Sequence, residues 1–462
     1  MTLIKSISGI RGTLGGPTAT NLTPVDIVKF AAAYGSWLQQ RYKDEKEPLT
    51  VVVGRDARPS GPMVQELVQQ TLVGLGIDVL SLGLSTTPTV AMAVPEAKAH
   101  GGIVLTASHN PIAWNALKLL NARGEFVNAQ DGQEVLALAA AEAFDFAPTE
   151  ALGRITSKTN AITAHIDAIL ALEEVNVPAI ASAGLKVVVD GVHSTGGIAI
   201  PQLLEALGVA VIPLYCEPHG QFPHNPEPLP EHLEALSKAV VAQGADFGIV
   251  VDPDVDRLAF VDEHGAMFGE EYTLVACADY ILSKTPGATV SNLSSTAALK
   301  IITEKHGGKY FAAAVGEVNV VTAMKKHQAV IGGEGNGGVI FPKLHYGRDA
   351  LVGAALFLSH LVAQKQSVSQ LRASYPNFYM SKNKATLPET VAPEPLLDAL
   401  QKQYAAQDCD TTDGLKITFE DHWVHLRKSN TEPIVRVYTE APSQEQADTM
   451  SAAFVRQLEE QA

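Results

Sequence analysis

The sequence predicts an α/β fold: three similar α/β domains with mixed, largely parallel sheets, followed by a C-terminal α+β domain. Three observations predict it. A β-branched run, a polar or Gly-rich turn, a helical stretch ending near Gly and a second apolar run recur three times. Such strand–helix–strand units with short turns imply parallel, buried strands covered by helices. The last stretch instead alternates polar and apolar residues in closely spaced runs, the pattern of an antiparallel sheet. The length of 462 residues accommodates several domains at about 150 residues each.

In order, the first unit is LTVVVG (49–54), a helix from Ser60 to Leu75, and IDVLSLG (77–83). The second is LKVVVDG (185–191), a helix from Ser194 to Leu207, and VAVIPLY (209–215). The third runs from ATVSNL (288–293) through a helix to Lys305, then past Gly307 and Gly308 to KYFAAAV (309–315). The alternating runs are LKITFE (415–420), WVHLRKS (423–429) and IVRVYTE (434–440), with a helix over 443–461. MSKNKATLPETVAPEP (380–395) contains three prolines and reads as a linker. Softer boundaries near 150–160 and 258–268 complete four domains, 1–155, 156–260, 261–378 and 379–462.

Composition narrows the function classes. A formal net charge of −16 argues against nucleic acid or an anionic membrane as partner, and leaves small anionic substrates only where basic residues concentrate locally. No run approaches the roughly 18 apolar residues of a membrane span, and MTLIKSISGIRG lacks the features of a signal peptide. Cys216, Cys277 and Cys409 are few and far apart, which excludes a disulfide framework and a cysteine zinc site and fits a reducing cytoplasm.

Four loops carry chemistry. GGIVLTASHNP (101–111) is an apolar strand running into Ser-His-Asn-Pro, where the carboxyl end of a strand lines the usual ligand crevice. Ser108 is a candidate nucleophile with His109 beside it, but adjacent residues of extended chain point to opposite faces, so no Ser–His pair is implied. A plain turn broken by Asn-Pro is the bland reading. In ADFGIVVDPDVDRLAFVD (245–262) a buried strand ends in Asp252, Asp254 and Asp256. Three carboxylates on alternate residues repel one another, and a hard divalent cation, Mg²⁺ or Ca²⁺, relieves that cost. An EF-hand fails because Arg257 stands where its loop needs Gly. A haloacid-dehalogenase-type phosphatase with Asp252 as nucleophile is a rival. HQAVIGGEGNGGVIFP (327–342) places Glu334 and Asn336 among five glycines, suited to sugar hydroxyls approaching backbone closely, though a flexible hairpin has the same composition. In VHLRKSNTEPIVRVY (424–438), Arg427, Lys428, Ser429, Asn430 and Thr431, with Arg436 nearby, are the donors that a phosphate dianion requires. A nucleophilic hydroxyl, a hard-metal site, a polyol-reading loop and a phosphate clamp together suit phosphoryl transfer.

These residues resemble the α-D-phosphohexomutase family end to end. TASHNP (106–111) is identical to its phosphoserine loop and is followed by Asn115 and Lys118; SISGIRGT (6–13), VVVGRDARPSG (51–61) and FPHNPEP (222–228) match further elements. DPDVDR resembles the metal loop D-G-D-G-D-R, GEGNGG the sugar loop G-E-x-S-G-H, and RKSNTEP the phosphate loop. The resemblance implies four domains arranged around a central cleft, and a hexose phosphate substrate. Ser108 is then carried phosphorylated and shares one Mg²⁺ per chain with Asp252, Asp254 and Asp256. It donates its phosphoryl group to a hexose monophosphate and recovers the other from the hexose 1,6-bisphosphate, which also acts as activator. Arg427, Ser429, Asn430 and Thr431 hold the phosphate that is not reacting, Glu334 reads the sugar, and Arg257 offsets charge on the transferring group. Lys118, His109 and Arg11 are candidates for proton handling or charge support.

Departures bear on the substrate. Gly338 stands where the sugar loop has His, Asn336 where it has Ser, Pro253 and Val255 where the metal loop has Gly, Ala116 for a Gly before Lys118, and Lys428 for Pro in the clamp. None removes a nucleophile, metal ligand or clamp arginine. GIRGTLGG, SNLSST (291–296) and HYGRDALVG (345–353) most resemble bacterial phosphoglucosamine mutases, whereas Asn430 resembles phosphomannomutase/phosphoglucomutase members. Conversion of glucosamine 6-phosphate to glucosamine 1-phosphate is the expectation, with a mannose or glucose phosphate mutase as alternative. A metal-dependent phosphatase and a non-catalytic sugar-phosphate binder are the readings of a different class.

Overall fold

The computed structural model describes residues 2–6, 9–388, 390–428 and 434–462. Its chain forms two compact units, Met1–Tyr280 with Asn336–Leu371, and Ile281–Gly335 with Arg372–Ala462.

The first unit opens with β1 (Ile4–Ser6), β2 (Gly9–Thr13), α1 (Pro24–Arg41), β3 (Thr50–Arg55), α2 (Gly61–Gly74) and β4 (Asp78–Leu84). It continues with α3 (Thr87–Glu96), β5 (Gly101–Leu105), β6 (Trp114–Asn121), α4 (Ala129–Ala141) and β7 (Ile155–Ser157). The sheet order is β1-β2-β6-β5-β3-β4-β7, with β5, β3, β4 and β7 parallel and β6 antiparallel to β5. The central strands are near-continuous apolar runs because both faces are covered. Ile27, Phe30, Val64 and Leu72 of α1 and α2 pack on one face with Val51, Val53 and Ile103, while Val90 and Val94 of α3 cover Val52 and Val104 on the other.

Next come α5 (Ala161–Leu170), α6 (Val177–Ser182), β8 (Lys186–Asp190), α7 (Gly196–Ala206), β9 (Ala210–Leu214), α8 (Glu234–Gln243), β10 (Phe247–Val251) and β11 (Leu258–Val261). Their sheet runs β11-β10-β8-β9, parallel except for β11. After α9 (Glu270–Lys284) follow β12 (Thr289–Asn292), α10 (Ala298–Lys305), β13 (Tyr310–Ala313), α11 (Glu317–His327) and β14 (Ile331–Glu334). Here β12 pairs in parallel with both β13 and β14. β15 (Gly338–Ile340), α12 (Ala350–Gln364) and α13 (Val368–Ala373) complete this stretch. Asp349 caps α12, accepting from the amides of Leu351 and Val352, while its other oxygen takes His165 at 2.9 Å and His345 at 3.2 Å. A capping carboxylate held by two imidazoles gives this helix start a fixed geometry.

The C-terminal stretch comprises β16 (Tyr379–Thr386), α14 (Pro393–Gln403), β17 (Asp408–Asp410), β18 (Leu415–Thr418), β19 (Trp423–Lys428), β20 (Ile434–Ala441) and α15 (Gln444–Gln461). It is an antiparallel sheet ordered β16-β20-β19-β18-β17, packed on α15 through Leu426, Val435, Val437, Phe454 and Leu458. One expectation is corrected: residues 380–386 are not linker but strand, registered along β20 from Tyr379↔Ala441 to Thr386↔Ile434. Lys382 and Lys384 lie exposed on this edge strand while Ser381 and Ala385 are buried. Charged edge positions are how sheets avoid further pairing, and they hide the strand from a hydrophobic reading; the prolines cluster beyond it.

Candidate active site

Ser108 follows β5, whose five residues are all buried. Its backbone has φ 50°, a left-handed conformation that non-glycine residues seldom adopt, so the loop must be held there. Arg58, fully buried, does the holding. Its Nε donates to Asp56 at 3.0 Å, and its terminal nitrogens donate to the carbonyls of Ser108 (2.6 Å), Asn110 (2.7 Å), Pro111 (2.7 Å) and Trp114 (3.1 Å). Phe222 lies under the guanidinium with its ring centre at 5.0 Å. Burial pushes the Asp56 carboxyl up, against the pull of Arg58 and the Thr106 hydroxyl. We expect Arg58→Met to cost about 3–5 kcal/mol, the range for stripping one partner from a buried charged network, read as a lower urea midpoint. A loss under ~1 kcal/mol, the scale of a surface change, would mean that the loop holds itself.

The carboxylates follow β10, also buried throughout. The Ser108 hydroxyl donates to Asp252 Oδ2 at 2.6 Å, and Asp252 Oδ1 accepts from the amides of Asp256 and Arg257. Asp254 Oδ2 takes Lys118 Nζ at 2.7 Å and the Thr87 hydroxyl. Asp256 Oδ2 takes Arg348 at 2.7 Å, with Lys118 at 3.5 Å. The three side chains offer oxygens within 4.8 Å of one another, and Asp254 Oδ1 and Asp256 Oδ1 are buried with no hydrogen-bond partner. Two orphaned anionic oxygens beside a third carboxylate are the donor set a hard cation takes, so the residues fit a metal ion. Burial and the neighbouring Asp254 and Asp256 push Asp252 well up. Burial also works to raise Asp254, but Lys118 and the hydrogen bonds from Lys118 and Thr87 outweigh it and hold it below the usual range. Val255, buried in this loop, has φ 64°, a strained position for a β-branched residue; Pro253, whose carbonyl accepts from Ser194 and Thr195, anchors it.

His109 Nδ1 stands 3.4 Å from Ser108 Oγ, because the left-handed turn departs from extended chain. Burial, then Arg257, Arg348 and Arg11, push the imidazole down to about 2, so it is neutral. Arg257 pairs with Glu227 at 3.0 Å, and Arg11 sits half-buried on β2 opposite Ala116. Burial lowers the Lys118 amine, but Asp254 and Asp256 raise it further. Sequence reasoning singled out neither Asp56 and Arg58 nor Thr87, Glu227 and Arg348. Asp56, Arg58, Glu227 and Arg348 lie within stretches noted only for their resemblance, and the loops they contact are remote in sequence.

In the second unit, Glu334 ends β14, buried, with Oε1 accepting from Asn292 Nδ2 (2.8 Å) and the Gly316 amide (3.0 Å). Arg427 donates to Asp413 at 2.9 Å and lies directly opposite Arg436 in the β19–β20 register. Like charges facing each other there are unfavourable, and Asp413 offsets the charge of Arg427. Ser429, Asn430 and Thr431 lie outside the described residues. In the first unit Asn336 accepts from the Gly338 amide at 3.2 Å.

Family models described as phosphoglucomutase/phosphomannomutase alpha/beta/alpha domains I, II and III and C-terminal domain match residues 3–146, 163–265, 269–378 and 384–457. The chain belongs to the phosphoglucomutase/phosphomannomutase family. It is 35% identical over 456 residues, 97% of this chain and 98% of the other, to a phosphoglucomutase/phosphomannomutase of Thermococcus kodakarensis. It is 32% identical, over 97% and 96%, to a Methanopyrus kandleri chain named probable phosphoglucosamine mutase. The crystal structure of a phosphoglucomutase/phosphomannomutase family protein from Burkholderia thailandensis superposes with a TM-score of 0.84 at 25% identity, covering 98% of each chain. Membership in the phosphoglucomutase/phosphomannomutase family makes the chain an enzyme, an isomerase of the phosphohexomutase class. Among the described residues no helix is long and apolar enough to cross a membrane.

Proposed function

We propose that the enzyme interconverts hexose 6-phosphate and hexose 1-phosphate through phosphorylated Ser108, with glucosamine 6-phosphate as preferred substrate. The observation that carries this is Ser108 Oγ at 2.6 Å from Asp252, beside two buried carboxylates with unpartnered oxygens. Asp252, Asp254, Asp256 and a phosphoserine oxygen would hold one Mg²⁺ per chain. When bound, the ion supplies charge neutralisation to the transferring phosphoryl group.

In the forward half-reaction the P–O bond to Ser108 breaks as a P–O bond to the free sugar hydroxyl forms, and the proton that the sugar hydroxyl gives up is matched by the one that the released Ser108 oxygen takes up. Lys118, cationic beside Asp254 and Asp256, and the guanidinium groups of Arg11 and Arg257 supply charge support. His109, with Nδ1 beside Ser108, is held neutral by burial and the neighbouring guanidinium groups and lies beside the reacting oxygen without keeping an added proton. In the return half-reaction Ser108 recovers the other phosphoryl group, its proton already directed at Asp252. Arg427, Arg436, Ser429, Asn430 and Thr431 hold the idle phosphate, and Glu334 and Asn336 bind sugar hydroxyls. Hexose 1,6-bisphosphate phosphorylates Ser108 when the group is lost.

The glucosamine preference rests on GIRGTLGG, SNLSST and HYGRDALVG and on relatives named as phosphoglucosamine mutases. A mannose or glucose phosphate preference is the second reading, favoured by Asn430 and by the relative at 35% identity. Phosphorus NMR with Mg²⁺, catalytic glucose 1,6-bisphosphate and each hexose 6-phosphate in turn tests it. The expected result is a growing 1-phosphate resonance, fastest with glucosamine 6-phosphate, without free phosphate. Faster mannose or glucose turnover installs the second reading, and free phosphate in every tube without 1-phosphate overturns both.

A further inference from the structure

Gly338, the first residue of β15, does not owe its identity to backbone conformation. Its neighbour Gly337 does, with φ +83° and room for no Cβ, which would stand 2.3 Å from the Leu258 carbonyl oxygen. Gly338 has no positive φ; what a Cβ would meet first there is Arg348, its Cδ at 2.3 Å and its Cγ at 3.0 Å, with Asn336 Oδ1 also at 3.0 Å. The stem of Arg348 therefore crosses directly over Gly338, and from that position its Nη2 reaches Asp256 Oδ2 at 2.7 Å. The segment carrying Arg348 is anchored on both sides of the crossing. Asp349, next in the chain, is locked by His165 and His345, and the Ala350 amide donates to Val255 O inside the carboxylate loop at 3.1 Å.

We propose that Arg348 is a positioning residue for the acidic triad, and that Gly338 is glycine to let it through. By taking Oδ2 of Asp256, Arg348 leaves Oδ1 of that carboxylate buried and unpartnered, as Lys118 and Thr87 do for Asp254. Groups that hydrogen-bond the outer oxygen of a ligating carboxylate orient it and tune its affinity. Where the sugar loop of the resembled family has His, this chain has a glycine, and the room is filled by the stem of Arg348. The inference rests on the metal reading above.

The test is Mn²⁺ binding to the purified full-length enzyme, by electron paramagnetic resonance titration, alongside turnover at saturating metal. Variants are Arg348→Ala, Arg348→Lys, Gly338→Ala and the double Gly338→Ala/Arg348→Ala. We expect Arg348→Ala to weaken Mn²⁺ by about 10–100-fold, the usual effect of losing such a partner, and Arg348→Lys to restore part of it. Gly338→Ala, which pushes aside a side chain and no backbone, should weaken Mn²⁺ comparably with little change in melting temperature. The double variant should match Arg348→Ala alone, because both changes remove one contact. Should Arg348→Ala fail to fold, Gly338→Ala still carries the test. Wild-type enzyme that binds no Mn²⁺ removes the metal reading itself. Wild-type binding with Gly338→Ala and Arg348→Ala unchanged overturns the role of Arg348, and losses that multiply in the double variant overturn its dependence on Gly338.

Discussion

Ser108→Ala should abolish mutase turnover, lowering it by at least ~10⁴-fold, the scale seen when a covalent nucleophile is removed. The fold should survive the change. Ser108 is kept in place by its backbone, through Arg58 on its carbonyl and Thr106 on its amide, and its hydroxyl contributes the bond to Asp252. Intact-mass measurement after incubation with glucose 1,6-bisphosphate should show one added phosphoryl group on wild type and none on the variant. The same substitution separates the chemical classes. An enzyme using Asp252 as nucleophile would go on releasing phosphate without Ser108, and a binder would show neither reaction in either form. Retained mutase turnover would displace Ser108 from the mechanism outright.

The loops bearing these groups were legible because the fold puts them in equivalent places. β5, β10 and β14 are buried parallel-sheet strands, the first two running on into Ser108 and Asp252 and the third ending in Glu334, and a buried strand written in Val, Ile and Gly that gives way to polar residues announces its carboxyl end. Periodicity failed for β16, a polar edge strand beside a proline cluster. Local geometry failed at His109, since the argument from extended chain breaks at a residue with φ 50°. The supports of the site were out of reach for another reason. Arg58 serves a loop some 50 residues away and Arg348 a carboxylate 92 residues away; what brings them there is sheet order and the order of packing, which no local pattern encodes. Gly338 was visible as a departure from a motif, but its meaning required knowing which side chain lies over it.

Asp254→Asn is expected to have the second-largest effect, and the reason lies in which atoms an amide can present. Asp254 Oδ2 accepts from Lys118 and Thr87, while Oδ1 is buried without a partner. Asparagine satisfies Lys118 and Thr87 only by turning its carbonyl oxygen to them, which aims the NH₂ donors at the place of Oδ1. A cation ligand is thereby replaced by a group that repels one, in a buried setting where neither charge is screened. Turnover should fall about 10³-fold, comparable to losing a principal electrostatic group of an active site. Stability in the absence of metal should fall as well, because the ion pair that holds the Asp254 carboxyl below the usual range is lost and Lys118 is left with Asp256 at 3.5 Å. Thermal melts with and without Mg²⁺ read both effects. Wild type stripped with a chelator should lose activity and melt lower, then regain both with Mg²⁺, since an ion bound only by the folded state stabilises by mass action. Asp254→Asn should melt below stripped wild type and respond little to Mg²⁺. A variant that still gains stability and full activity from Mg²⁺ would remove Asp254 from the ligand set and leave its unpartnered oxygen without an explanation.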